Sequence, residues 1–169
     1  VNDTTAHAKS HIYKTGSFYI TTLERIDITQ CYTQALILSP THELVKQTAG
    51  VISDIGRNMD GLKVKTLVGG TPVREDVVAL KYHTPHIVVG TVGRVLDMFQ
   101  KRHLRGDALK MLIMDEADEM LSQGFSEKIK WLFQNYFTES MQVVLFSATM
   151  PREILNLSEC FMNAPEKLL

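Results

Sequence analysis

Three carboxylates stand within four residues at Asp115-Glu116-Ala117-Asp118, directly after the apolar run Met111-Leu112-Ile113-Met114. That order describes a short buried strand ending in acid. Carboxylates at the C-terminal edge of a parallel strand sit where open α/β sheets bind ligands. In nucleotide-hydrolysing P-loop proteins an acidic residue here holds Mg2+ beside the phosphates. Alone, such a cluster reads as a solvated helix N-terminus whose charges complement the helix dipole. It is not alone. The run Gln142 to Phe146 closes on Ser147-Ala148-Thr149, another on Pro40-Thr41-His42-Glu43-Leu44, and a further one on Thr91-Val92-Gly93-Arg94.

The elements that must position these residues alternate along the chain. Strands are expected at Thr4 to Ala8, Gln34 to Leu38, Lys63 to Val68, His86 to Val89, Met111 to Met114 and Gln142 to Phe146. Helices are expected at Lys14 to Ile26, Thr41 to Arg57, Val92 to Gln100, Ala117 to Ser122, Ser126 to Phe137 and Pro151 to Met162, with another beginning at Pro72. In the second helix Leu44, Val45, Thr48, Val51, Ile52 and Ile55 recur at helical spacing, and Thr41 is its expected N-cap. Alternating strands and helices imply a parallel sheet with helices on both faces. Right-handed crossovers then bring the strand C-termini, and the polar residues after them, to one edge.

Composition sets limits. The 169 residues suit one domain, 1–169, and 44% hydrophobic with 22% charged residues is a soluble globular profile. No apolar run approaches the ~20 residues that span a bilayer, so no membrane partner is expected. No signal peptide is visible, and a first residue other than Met suggests a fragment of a longer chain. The net charge of −1 does not advertise nucleic-acid binding, although helix N-termini and a few local cations suffice for it. Cys31 and Cys160 lack metal-ligand spacing and are expected as free, mostly buried thiols in a reducing compartment. His83-x-x-His86 reads as a loop and strand start, since no further ligand completes a metal set.

The segments Ser39-Pro40-Thr41-His42-Glu43-Leu44, Val68-Gly69-Gly70-Thr71, Pro85 to Arg94, Asp115 to Leu121 and Ser147-Ala148-Thr149-Met150-Pro151 together resemble the first RecA-like domain of DEAD-box ATP-dependent RNA helicases, initiation factor 4A type. The resemblance implies a RecA-like P-loop NTPase fold, with ATP and Mg2+ as cofactors. ATP would be held by Ala8, Lys9, Ser10, His11, Ile12, Tyr13, Lys14 and Thr15. Lys14 would reach the β and γ phosphates, and Thr15 and Asp115 would hold the metal. Glu116 would position or deprotonate the attacking water. Asp118, Ser147 and Thr149 would couple nucleotide state to domain closure. Single-stranded or duplex RNA would be held by its backbone at Pro40, Thr41, His42, Gly69, Gly70, Thr91, Gly93 and Arg94. A second RecA-like domain of the same protein would complete the motor, beyond Leu169, and an adenine-reading segment would precede Val1. A scaffold protein of translation or RNA processing is a further implied partner, and the implied location is cytoplasmic or nuclear.

Four positions depart from the family pattern. Both phosphate-loop glycines are replaced, by His11 and Tyr13. A tight anion-cradling turn uses glycine at φ > 0, and a Cβ there costs about 1–2 kcal/mol. The arginine after Pro-Thr is His42, so a permanent charge becomes a titrating one, and the proline before Gly-Arg is Val92. An alternative therefore stands beside the helicase reading: a helicase-like RNA- or protein-binding module whose ATP site has decayed. Retention of Asp115, Glu116, Ser147 and Thr149 weighs against it.

Overall fold

The computed structural model describes residues 4–7, 11–138, 140–162 and 166–168, with backbone alone at 5–7, 11–15, 17, 158, 160, 161 and 166–168. The strands are β1 (Thr4–His7), β2 (Ala35–Leu38), β3 (Val64–Leu67), β4 (Ile87–Gly90), β5 (Met111–Met114), β6 (Gln142–Ser147) and β7 (Glu166–Leu168). The helices are α1 (His11–Glu24), α2 (His42–Ile55), α3 (Val73–Tyr82), α4 (Val92–Gln100), α5 (Ala117–Ser122), α6 (Ser126–Tyr136) and α7 (Arg152–Phe161). The strands form one sheet in the order β3-β4-β2-β5-β6-β1-β7, and every pairing is parallel. All strand C-termini therefore open on one edge.

Every residue of β2, β4 and β5 is buried. Coverage on both faces is why these strands read as continuous apolar runs rather than alternating ones. Leu36, Leu38, Val88 and Leu112 join one core with Val95 and Met98 of α4 and Ile154 of α7. Ile37, Val89 and Ile113 join the other with Tyr19 of α1 and Val45 and Ile52 of α2. Each such side chain contributes about 1.5–3 kcal/mol on burial.

Local chemistry then aims the helices. Thr41 caps α2, its hydroxyl accepting the Leu44 N–H at 3.2 Å, worth about 1 kcal/mol. Gly90 ends β4 where a Cβ would lie 2.8 Å from the Leu67 carbonyl oxygen and 2.5 Å from a Val95 methyl. Only glycine lets β3, β4 and α4 approach this closely. Helices α4 and α5 and strand β5 occupy the expected residues. Helix α1 instead begins at His11, β7 was not foreseen, and Pro72 caps α3 rather than opening it. Cys31, expected buried, is exposed in the turn-rich α1–β2 connection.

Candidate functional site

Neighbouring strands hand over to their loops in register. The Thr91 N–H donates to the Leu67 carbonyl at 3.0 Å, the Ser39 N–H to Gly90 at 3.1 Å, and the Asp115 N–H to Leu38 at 2.9 Å. The first residues after β4, β2 and β5 are thus still fixed by the sheet. Loops starting from such a frame hold their side chains with little freedom.

After β5 comes an acidic corner. Asp115 and Glu116 are half-buried, with Glu116 at φ 52° and ψ 51°. Among the described residues only Glu116 and Arg102 adopt this left-handed backbone without being glycine. It costs about 1–2 kcal/mol, and such strain gathers at functional sites. Glu116 makes no side-chain cap to α5, so its carboxylate is not serving as the ordinary helix N-cap. One turn on, Asp118 Oδ2 accepts the Thr149 N–H at 2.9 Å and the Thr149 hydroxyl at 2.7 Å. Burial acts to raise the Asp118 carboxyl, but hydrogen bonds from the Thr149 and Ser147 side chains and from the Thr149 and Ala148 N–H groups outweigh it and hold it below the usual range. The Ser147 hydroxyl donates to the Thr149 carbonyl. Its single proton also lies in reach of Asp118, so it can serve one acceptor or the other. The three residues expected to act together are therefore in contact.

Tyr19 joins this corner to α1. Its hydroxyl and that of Thr48 lie 3.1 Å apart. Burial pushes the Tyr19 phenol up to about 12 against that hydrogen bond, and the charge of nearby Asp115 adds to the rise. Asp115 thus lies near α1, the helix in which the expected phosphate segment ends.

The corner after β3 and β4 is built differently. Gly70 takes φ +77°, turning the chain tightly after Val68. Thr91 precedes α4 in extended conformation, and space around Gly93 is open. Arg94 corrects the expectation of a cation held out for phosphate. Its side chain is 7% exposed and paired with Asp76, 3% exposed. It also donates to the Thr71 carbonyl at 2.8 Å and the Thr71 hydroxyl at 3.3 Å. Lys65 completes the cluster at 2.9 Å from Asp76. The reason is geometric: residue 94 falls on the inner face of α4, where a guanidinium must be paired to be buried. Arg94 thereby holds the Gly69-Gly70-Thr71 turn against α4. His42, exposed on the first turn of α2, has its imidazole beside Gly69, where a Cβ would meet Nε2 at 3.5 Å. Pro40 and Thr41 lie on the same edge, so all the expected backbone-contacting segments converge.

The expected phosphate segment is covered only in part. Ala8, Lys9 and Ser10 lie outside the described residues, as do the side chains of His11, Ile12, Tyr13, Lys14 and Thr15. The backbone is helical from His11 onward, so the helix starts where the family pattern has its turn. Sequence reasoning missed Asp76, Lys65, Tyr19 and Thr48. An acid in the first turn of α3 looks like ordinary dipole complementation, and only the fold places it against Arg94.

The family model for DEAD/DEAH box helicases matches residues 2–157. The chain is 49% identical over 168 residues to the "ATP-dependent RNA helicase eIF4A" of Neosartorya fischeri, covering 99% of this chain and 42% of that protein. The like-named Eremothecium gossypii protein is 48% identical at the same coverage. A crystal structure of a DEAD box protein from the hyperthermophile Methanococcus jannaschii superposes with a TM-score of 0.93 at 36% identity, over 99% of this chain and 45% of that one. A Saccharomyces cerevisiae Dbp5 variant bound to RNA and ADP BeF3 superposes with a TM-score of 0.86 at 26% identity, over 99% and 41%. The chain thus spans about two fifths of the length of the curated relatives it matches. Match over nearly all of its own length, with the same fold, makes this chain a member of the DEAD/DEAH box helicase family, in its RecA-like N-terminal domain.

Proposed function

We propose that this chain is the nucleotide- and RNA-backbone-binding half of a two-domain ATP-dependent RNA helicase. The observation that carries the reading is the acidic corner. A Glu116 in left-handed backbone, whose side chain does not cap α5, stands beside Asp115, one turn from an Asp118 hydrogen-bonded to Thr149. Mg2+ fits the donor chemistry, since it takes one or two carboxylates and shares the rest of its shell with phosphates and water. Asp115 would hold it, with Thr15, and the bound ion would neutralise phosphate charge during transfer. Glu116 would orient the attacking water and accept its proton. Lys14, with Ala8, Lys9, Ser10, His11, Ile12 and Tyr13, would surround the phosphates. Asp118, Ser147 and Thr149 tie α5 to the segment after β6, so displacement of either is felt by the other.

RNA would lie across Pro40, Thr41, His42, Gly69, Gly70, Thr91 and Gly93. The N–H groups opening α2 and α4 suit phosphate oxygens. Arg94 contributes by holding the Thr71 turn rather than by direct contact. A second RecA-like domain would close on this edge and supply the transition-state arginines, whose loss typically costs ~10³–10⁵ in rate. The isolated chain should therefore not unwind duplexes. A protein partner is consistent with the Saccharomyces cerevisiae Dbp5 structure whose description names Nup159 and Gle1. A cytoplasmic or nuclear location follows from the same reading.

One observation favours the alternative of a decayed ATP site. Helix α1 takes in His11, Ile12 and Tyr13, and in right-handed backbone these residues do not form the alternating-hand nest that cradles an anion. Calorimetric titration with Mg2+-ADP and Mg2+-ATP, beside a His11→Gly/Tyr13→Gly variant, separates the readings. Binding by the native chain supports the helicase. Binding by the variant alone supports the decayed module. In the two-domain protein, Glu116→Gln should abolish turnover and spare nucleotide binding, and undiminished turnover would remove Glu116 from the mechanism.

A further inference from the structure

Among the described residues strand β3 is an edge of the sheet, paired with β4 alone. Its hydrogen-bonding parity can be read directly. The Lys63 N–H donates to His86 Nδ1 at 3.0 Å, and the Lys63 carbonyl accepts from the His86 and Ile87 N–H groups. The Leu67 carbonyl accepts from Thr91. Odd-numbered residues thus face β4, so the N–H and C=O groups of Val64 and Thr66 point outward along the open edge. Side chains alternate too. Val64 packs toward the core under α2, whereas Lys65 reaches Asp76 on α3.

A cavity of about 550 Å³ lies along this edge, between the end of α2 and the end of α3. Met59, Leu62 and Val64 give it an apolar side, while Arg57, Lys63 and His83 bring basic groups to it. Among the described residues no acidic side chain lines it. Among the described residues none of Arg57, Lys63 and His83 is in a salt bridge. It lies at the N-terminal end of β3, about six residues or roughly 20 Å of strand from Gly69, and so is separate from the motif edge.

We infer that this edge docks an extended acidic segment of a partner protein as an added strand. Main-chain groups of Val64 and Thr66 would pair with it, as in strand addition to exposed sheet edges. Its apolar side chains would point to the Met59–Leu62–Val64 side, and its alternate carboxylates to Lys63 and His83, with Arg57 at the rim. A second copy of this chain is the wrong occupant, because it would bring a second set of Arg57, Lys63 and His83 against the first. RNA does not use the outward N–H and C=O row.

The test uses this chain and an acetylated, fluorescein-labelled eight-residue peptide alternating glutamate with valine. Fluorescence anisotropy should report binding, and hydrogen exchange at the Val64 and Thr66 amides should slow at least tenfold on saturation. The Arg57→Glu/Lys63→Glu variant should lose at least tenfold in affinity, and a lysine–valine peptide should not bind. Hydrogen exchange of the free variant confirms that it is folded. The inference is overturned if the glutamate peptide fails to bind the native chain, if it binds with both amides unprotected, or if charge reversal leaves its affinity unchanged. It is equally overturned if the unliganded chain dimerises with those amides protected, or if an oligouridine displaces the peptide by occupying the groove itself.

Discussion

Two corners of one sheet edge handle charge in opposite ways. After β3 and β4, Arg94, Asp76 and Lys65 bind one another, and Arg94 and Asp76 are 7% and 3% exposed. After β5 and β6, Asp115, Glu116 and Asp118 stand half-buried, with a left-handed backbone at Glu116. The first corner uses its charges to fix a turn. The second keeps carboxylates at the surface on strained backbone. Removing charge should therefore cost stability at the first corner and function at the second.

The largest effect is expected at Asp76. Asp76→Ala leaves a buried guanidinium unpaired and should cost about 3–5 kcal/mol in urea unfolding. Replacing both partners, Asp76→Leu with Arg94→Met, should cost less than either single change. A larger loss in the double variant would mean that the pair is not what stabilises this corner. Next comes Gly90→Ala, which forces a Cβ against the Leu67 carbonyl oxygen and should cost about 1–3 kcal/mol, read as a lower urea midpoint. At the second corner the sign reverses. Glu116→Gly relieves a left-handed residue and should raise stability by up to about 1 kcal/mol, while abolishing turnover in the two-domain protein. A destabilised variant would show the left-handed turn to be held by contacts of the Glu116 side chain. The smallest effect concerns Asp118. Its carboxyl is held below the ordinary value of 3.8, so its contribution is present above that value and is lost as pH falls through the lower folded one. The stability difference between the native chain and Asp118→Asn should therefore shrink below about pH 4. A difference independent of pH would mean that the Asp118–Thr149 contact works without its charge.

How much of this was legible depends on whether neighbours in sequence or in space decide. Val92–Gln100 and Met111–Met114 were readable because helical spacing and an unbroken apolar run are local signals. So was Thr41 as a cap, since the cap and its acceptor bond lie within one turn. The acidic corner was readable from four adjacent residues. The burial of Arg94 was not, because it depends on Asp76, 18 residues away. The left-handed Glu116 carries no signal in a residue type that ordinarily avoids that conformation. Strand β7 spans only Glu166–Leu168, too few residues for a period to show, and it exists through its pairing with β1. The start of α1 at His11 went unforeseen because the family pattern suggested a turn, whereas residues with a Cβ settle more readily into helix.

The sheet order has a consequence for biosynthesis. β1 lies between β6 and β7, the two described strands furthest from it in sequence. β1 is therefore synthesised well before either of its two neighbours in the sheet. Its nearer partner begins at Gln142, and at roughly 5–20 residues per second that wait lasts on the order of ten to thirty seconds. Throughout it, the strand leading into the expected phosphate segment has both edges open. Nascent-chain chaperones have most to shield in that interval, and a ribosomal pause before Gln142 would lengthen it.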